Sequence, residues 1–398
     1  MKKATTILIS LLFCFSANAQ PFSPLTSGTN NVLASMHFFD DDTGFAVGEE
    51  GTILKTINGG MTWMYQTPVV FEDLSEVVFT DSNTGFIVGR GGVILKTTDA
   101  GNTWVQLLTN INTDLTKISF IGEDIYVSGY SGVMLKSSNG GTSWTSQSTG
   151  SSTFLYGNHF TDENTGYIVG YSGTILKTID AGNTWTALEG GNSMQLLDVH
   201  FTDANHGYIV GGNIPTNTGV VMRTTDAGAT WESQFFENNF FGNIKFPNSN
   251  LGYIAGGDLI LKTSTILKTT DAGTNWSVQP SNSNRQFGLA IPSLNAVYTC
   301  GLMGTILKAT EIVSVENINP HKHNFSIYPN PSFGKFQITI DGNTELEEFE
   351  VIVYNKLGEK IFQQQTTTEI DLTNFPKGIY FVKYNTEKEQ YGRKIILK

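Results

Sequence analysis

Recurring aspartates, recurring histidines and an adjacent pair of glutamates are the residues whose types and spacing could do chemistry in this sequence. Asp99, Asp180, Asp226 and Asp271 hold one place in a repeated turn, where a carboxylate could ligate calcium. Asn58 and Asn139 hold that place in two further turns, so the position asks for a hydrogen-bond acceptor and not for a charge. His37, His159 and His200 recur on an innermost strand, and three imidazoles can bind zinc. Their equivalents Val78, Ser119 and Lys245 are of other types, and the unit of His37 lies across the ring from the other two, so packed core histidines are expected. Glu49 and Glu50 could serve as the acid and base of a glycoside hydrolase, but neighbouring acids in a loop read as solvated charge. No catalytic residue, metal or cofactor is expected.

The elements that must carry these residues are set by self-similarity. The tryptophans Trp63, Trp104, Trp144, Trp185, Trp231 and Trp276 recur at intervals of 40 to 46 residues, the period of a propeller blade. One unit reads as four short strands, Leu74 to Phe79, Gly85 to Gly89, Val93 to Thr97 and Trp104 to Leu108, with Gly, Asn and Asp at the junctions. The inner three strands occur seven times and the Trp strand six. The missing strand is at the other end of the chain: Phe22 to Gly28 aligns with Trp144 to Gly150, with Phe22 in the tryptophan's place. An all-β seven-bladed β-propeller is expected, its last blade closed by the N-terminal strand, followed by a small C-terminal β-sandwich.

The repeated turns join third to fourth strands. The loops joining fourth to first and second to third strands must therefore share the opposite face. They carry the candidate ligand-binding residues Glu49, Glu50, Phe71, Arg90, Tyr130, Tyr156, Tyr171, Phe235, Phe236, Asn238 and Asn239, with Phe154 and an insertion at Asn213 to Thr218. Aromatic rings beside amides and carboxylates suit a glycan or a protein segment. Phe241 and Phe287 align with inward positions, and Phe240 is expected to be partly buried.

The turn Thr97-Thr98-Asp99-Ala100-Gly101-Asn102-Thr103-Trp104, repeated at Thr178 to Trp185, Thr224 to Trp231 and Thr269 to Trp276, resembles the Asp-box of bacterial neuraminidase repeats. Residues 20 to 310 as a whole resemble the photosystem II assembly and stability factor family. That resemblance implies a seven-bladed ring and leaves function open, because one fold hosts many activities. A sialidase-like site would need an arginine cluster, and the propeller has Arg90, Arg223 and Arg285 alone, with Arg223 at a strand position held elsewhere by Lys. Xyloglucanase-like enzymes set paired carboxylates between two such propellers, and this chain has one. A binding scaffold is the expected role, with an assembly factor for another exported protein and a glycan-active hydrolase as alternatives.

Charge narrows the partners. Residues 20 to 318 hold 12 Lys/Arg against 26 Asp/Glu, a net −14, which repels phosphate backbones and anionic membrane surfaces. Nucleic acid is not an expected partner, and no stretch is apolar for long enough to span a membrane. Lys2, Lys3, an apolar run from Ile7 to Phe15 and Ala17-Asn18-Ala19 read as a signal peptide over residues 1–19. With Cys14 in that signal, Cys300 is left without a disulfide partner.

After Thr310 the repeat stops, and residues 311–324 read as a linker. Tyr328-Pro329-Asn330-Pro331, then Val351 to Gly358, Gly378 to Lys383 and Lys394 to Lys398 follow in that order. These motifs resemble the type A sorting domain of the type IX secretion system. The resemblance implies that residues 325–398 address the chain to the outer-membrane translocon, and that the product is secreted or held at the cell surface after periplasmic transit.

Overall fold

The computed structural model describes residues 22–190, 193–309, 325–340, 349–355, 360–365, 368–386 and 390–398. The expected signal peptide and linker lie outside the described residues. Within residues 23–309 the chain forms seven four-stranded antiparallel sheets, in which every strand but the first pairs with a sequence neighbour. The innermost strands are Leu33–Phe38, Leu74–Phe79, Leu115–Ile121, Leu155–Phe160, Gln195–Phe201, Phe240–Lys245 and Gln286–Ser293. Each packs against the next, and the last packs against the first, so the sheets are blades of a closed ring. The ring is sealed in the seventh blade, where Ser23, Pro24 and Leu25 pair with Lys308, Leu307 and Ile306. Pro24 is tolerated because this strand lies at the sheet's outer edge.

Second strands such as Gly44–Gly48 and Gly85–Gly89 are buried at every residue, as a strand covered on both faces must be. The outer strands are shorter than their sequence implies. Trp104 to Leu108 was the expected span in blade two, and only Val105–Gln106 pairs. Val105 and Leu108 stand exposed there, and a short outer strand limits edge-to-edge association. Blade five departs the other way: its outer strand runs Glu232–Glu237, so Phe235 and Phe236 belong to a strand and not to a loop.

Blades are joined by a repeated aromatic set. The aromatic residue at or just past the end of an innermost strand stacks on a ring from the preceding blade and meets its own tryptophan edge-on. Phe160 lies 3.9 Å from Tyr126 and 6.1 Å from Trp185, and Phe246 lies 4.1 Å from Tyr208 and 6.0 Å from Trp276. The Asp/Asn turn of one blade also receives donors from the blade before it. Tyr167 Oη and Lys177 Nζ both donate to the Ala227 carbonyl at 2.9 Å, and Lys55 Nζ donates to the Ala100 carbonyl at 2.8 Å.

Inside each turn the acceptor is fully used. Asp180 Oδ1 accepts from the Thr184 amide at 2.8 Å and the Thr178 hydroxyl at 2.8 Å, while Oδ2 accepts from the Thr184 hydroxyl at 2.6 Å. In the Asn58 turn, Oδ1 accepts from the Thr62 amide at 2.9 Å, and Nδ2 donates to the Thr62 hydroxyl at 2.8 Å. A rotation of the threonine hydroxyl thus lets Asn replace Asp. Bonds from the Thr103 and Thr230 hydroxyls, with the amides beside them, hold Asp99 and Asp226 down at about 2. A carboxyl depressed in the fold contributes stability that is present above the ordinary value near ~4 and is lost as pH falls toward about 2. Asp180→Asn is expected to leave the melting temperature near wild type at pH 7, where Asp180→Ala lowers it. Changing Asp99, Asp180, Asp226 and Asp271 all to Asn is expected to flatten the loss of stability between pH 4 and pH 2 in thermal melts.

The C-terminal unit pairs Phe325–Tyr328 with Lys335–Ile340 and Glu369–Asp371 in one sheet. The other sheet orders Lys360–Gln365, Phe349–Tyr354, Gly378–Thr386 and Gln390–Leu397. Phe336, Ile338, Val351, Val353, Tyr380, Val382 and Ile395 form the core between them, as in a β-sandwich. Asn330 joins the start of this unit to its end: Nδ2 donates to the Lys394 carbonyl and Oδ1 accepts from the Ile396 amide.

Candidate functional site

Every innermost strand carries a register shift one residue after its buried lead residue, as between Leu74 and Glu76, Leu115 and Lys117, and Leu196 and Asp198. Such a bulge re-aims the residue that follows. Strand periodicity then places two rings of residues at equivalent registers. The ring nearer the loop face is Ser35, Glu76, Lys117, Gly157, Asp198, Asn243 and Gly288; the other is His37, Val78, Ser119, His159, His200, Lys245 and Ala290.

Three members of the first ring form a buried ion triad. Lys117 Nζ lies 2.9 Å from Glu76 and 3.1 Å from Asp198. The second oxygens of these carboxylates accept from the Ile118 amide at 2.6 Å and the Ile244 amide at 3.1 Å. Burial alone would pull the Lys117 ammonium down, but Asp198 and Glu76 outweigh it and hold the ammonium well above its ordinary value. Burial pushes the Glu76 carboxyl up, against the pull of Lys117 and the Ile118 amide. The triad divides the channel into two cavities and lines both. The loop-face half has a volume of about 360 Å³ and is bordered by Ser35, Glu49, Asp73, Tyr156, Asn243 and Phe287; the other half, of about 340 Å³, is bordered by Ser119, His159, His200, Lys245 and Phe246.

Burial lowers His37 to about 3 and His159 to about 4, and takes His200 well below its ordinary value, so all three are neutral at pH 7. His159 and His200 lie 5.1 Å apart, whereas His37 packs on Phe39 and Phe79.

At the loop-face rim four rings meet. Tyr130 is 4.4 Å from Phe154 and 5.9 Å from Tyr156, and Phe154 is 5.9 Å from Tyr171. Phe154 and Tyr171 are exposed. Tyr156 also borders the cavity, and burial pushes its hydroxyl up to about 12. The rings therefore run from solvent to the channel mouth.

The remaining expected residues are scattered around this mouth or used elsewhere. Glu49 and Glu50 sit in a tight turn, Glu50 at a φ of 55°, and their carboxylates accept from the Val32 amide and the Asn31 side chain. Arg90 faces Asp73 at 3.5 Å and Asp114 at 3.7 Å. Phe71 and Phe235 are exposed but share none of the ring contacts above. Phe236 packs on Phe241 at 5.3 Å and joins the core. Asn238 turns the chain at a φ of 55°, and Asn239 donates from its backbone N–H to the Asn217 carbonyl and from Nδ2 to the Glu237 carbonyl. Asn217 in turn donates to Asp258 and accepts from the Leu259 amide, tying three loops together.

Sequence reasoning missed the triad and one arginine. Arg285 lies over the rings of Phe240 and Phe287, 5.1 and 4.8 Å from their centroids, and burial lowers its guanidinium to about 10. Its Nε is buried without a partner among the described residues. The signal for the triad was the charge of Glu76, Lys117 and Asp198 at one repeat position, two residues before the histidine position.

Among the described residues no helix is long and apolar enough to cross a membrane. A search of curated proteins finds no match. Among solved structures, YCF48 bound to a D1 peptide aligns with a TM-score of 0.59 at 19% identity, over 74% of this chain and 98% of that one. YCF48 from Cyanidioschyzon merolae aligns at 0.57 and 17%, over 73% and 98%. A streptogramin B lyase aligns at 0.58 and 11%, over 72% and 95%. At such identities these likenesses show the fold, and the same fold carries a binding protein and a lyase. Residues 326–398 match the secretion system C-terminal sorting domain. The model of photosynthesis system II assembly factor YCF48 matches residues 15–110, 66–151 and 185–285, which together cover more than half of the chain. With its ring of blades and this match, the chain belongs to the YCF48 family of assembly-factor propellers.

Proposed function

We propose that this protein is an exported binding scaffold, delivered by the type IX secretion system, which holds a polypeptide segment across the loop-face mouth of its channel. The observation that carries the reading is the run of Tyr130, Phe154, Tyr156 and Tyr171 from solvent to the cavity. Rigid rings supply contact area at small entropic cost, and the cavity gives one side chain of a bound segment a pocket. The YCF48 structure with a D1 peptide supports a polypeptide ligand. Assembly of another exported protein would use the same contact. A glycan is the second reading, favoured by the ring of Tyr156 on the same cavity as the carboxylates of Glu49 and Asp73. Hydrolysis is disfavoured, because the acids at Glu49 and Glu50 already accept bonds from Val32 and Asn31 of the adjacent loop.

Retention of envelope proteins by the immobilised chain, beside a glycan array, tests the site. Tyr156→Ala with Tyr171→Ala is expected to reduce retention at least about tenfold, where Asp180→Asn on the opposite face does not. Equal retention by all three would end the proposal.

The sorting reading has its own test. A chain truncated after Val315 is expected to fold and stay in the periplasm of a host with the matching secretion system. A reporter fused to residues 324–398 is expected outside the cell. Fractionation and immunoblotting decide, and a truncated chain found in the medium would require another role for the C-terminal unit.

A further inference from the structure

We propose that the channel half on the side of the Asp/Asn turns is a binding site for a small monocarboxylate, with Lys245 as its counter-charge. The lysines of the third strands are spoken for: Lys55, Lys96, Lys177 and Lys308 each donate to a turn carbonyl of the next blade. Lys117 is held by two carboxylates, and Lys136 by Asp124 at 2.8 Å. Among the described residues Lys245 has neither a hydrogen bond nor a carboxylate within 4.0 Å, although it borders a cavity of about 340 Å³. Burial and the nearby charge of Lys117 disfavour its ammonium and outweigh the support it gets from Glu76 and Asp198, so a bound anion would favour the charged form.

The neighbours of Lys245 define the guest. Ser119, His159, His200 and Lys245 occupy one ring register in four consecutive blades, a continuous polar arc. A neutral imidazole carries one N–H: that of His200 is turned to the Phe246 backbone, and that of His159 is the one an oxyanion can accept. Ser119 spends its hydroxyl proton on Asn158, so the donors left are the Lys245 ammonium and the His159 imidazole. Ile244, Phe246, Pro247 and Ile291 give the cavity an apolar wall for the body of a small acid. Glu76 and Asp198 border the same cavity, so a second negative charge on the guest would face two carboxylates. One charge and a short apolar body describe a monocarboxylate better than a phosphate.

Ligand-observed NMR on the full chain tests this, with sodium butyrate and sodium acetate as probes, inorganic phosphate as the dianion, and sodium chloride to match ionic strength. Saturable butyrate binding is expected, at least about tenfold tighter than phosphate, abolished in Lys245→Met, retained in Lys245→Arg and unchanged in Tyr171→Ala. Lys245→Arg keeps the test valid where Lys245→Met fails to fold. The proposal is overturned if neither carboxylate saturates, if Lys245→Met binds as well as wild type, or if phosphate binds more tightly. Loss of binding in Tyr171→Ala alone would also overturn it, since that residue belongs to the opposite mouth.

Discussion

A chain lacking residues 22–28 is expected to melt well below the full protein and to associate in solution. The segment supplies the fourth strand of the seventh blade through the pairs Ser23–Lys308, Pro24–Leu307 and Leu25–Ile306. Phe22 is buried against Tyr253, Leu289, Val297 and Leu307, and its amide donates to the Pro280 carbonyl at 2.9 Å. Leu25 packs into the seam with the first blade, beside Phe38, Tyr298 and Trp63. Removing a buried phenylalanine alone costs about 3–5 kcal/mol, which in a domain of this size is roughly 5–8 °C. The deletion also bares the edge of Ile306–Ala309, a row of unpaired amides and carbonyls open to another chain. Size-exclusion chromatography and thermal melts of both forms check this. A monomeric deletion variant with an unchanged melting temperature would refute closure by the N-terminal strand.

The ring was legible because its signals are local. The tryptophans from Trp63 to Trp276 mark one turn per blade, and alignment of Phe22 with Trp144 finds the displaced strand without any knowledge of distance. The role of Asn58 beside Asp99 was also legible, since both offer one acceptor oxygen in the same turn. The site was less so. Phe236 reads as a surface ring because two phenylalanines precede an Asn pair, yet blade five extends its outer strand and turns that ring onto Phe241. Arg285 reads as one of too few arginines, and its clamp forms only because Phe240 arrives from the preceding blade. The triad is the clearest case: its carboxylates come from blades two and five and its lysine from blade three. No spacing within a repeat brings those three together; closure of the ring does.

That origin makes Lys117→Met the most disruptive point change expected in the channel. The substitution leaves Glu76 and Asp198 buried without their common cation, and breaking a buried ion pair from one side costs about 3–5 kcal/mol. The sign with pH follows from the shifts. Lys117 is raised in the fold, so its contribution is complete below its ordinary value near ~10.4 and is lost only as pH rises through the higher folded value; it is constant from pH 5 to pH 8. In the variant the pH dependence passes to the carboxylates. Glu76 is already pushed up by burial, and without Lys117 the Ile118 amide alone opposes the rise, while Asp198 adds to it. Protonation of Glu76 then removes the uncompensated charge, so the deficit against wild type is expected to shrink on going from pH 8 to pH 5. Adding Glu76→Gln and Asp198→Asn to Lys117→Met is expected to recover most of the loss at pH 8, because amides of the same shape need no counterion while still accepting from Ile118 and Ile244. Melts of the three proteins at both pH values separate the possibilities. A single variant that matches wild type at pH 8 would mean that water or a solvent ion in the channel satisfies the carboxylates, and that the triad does not hold the blades.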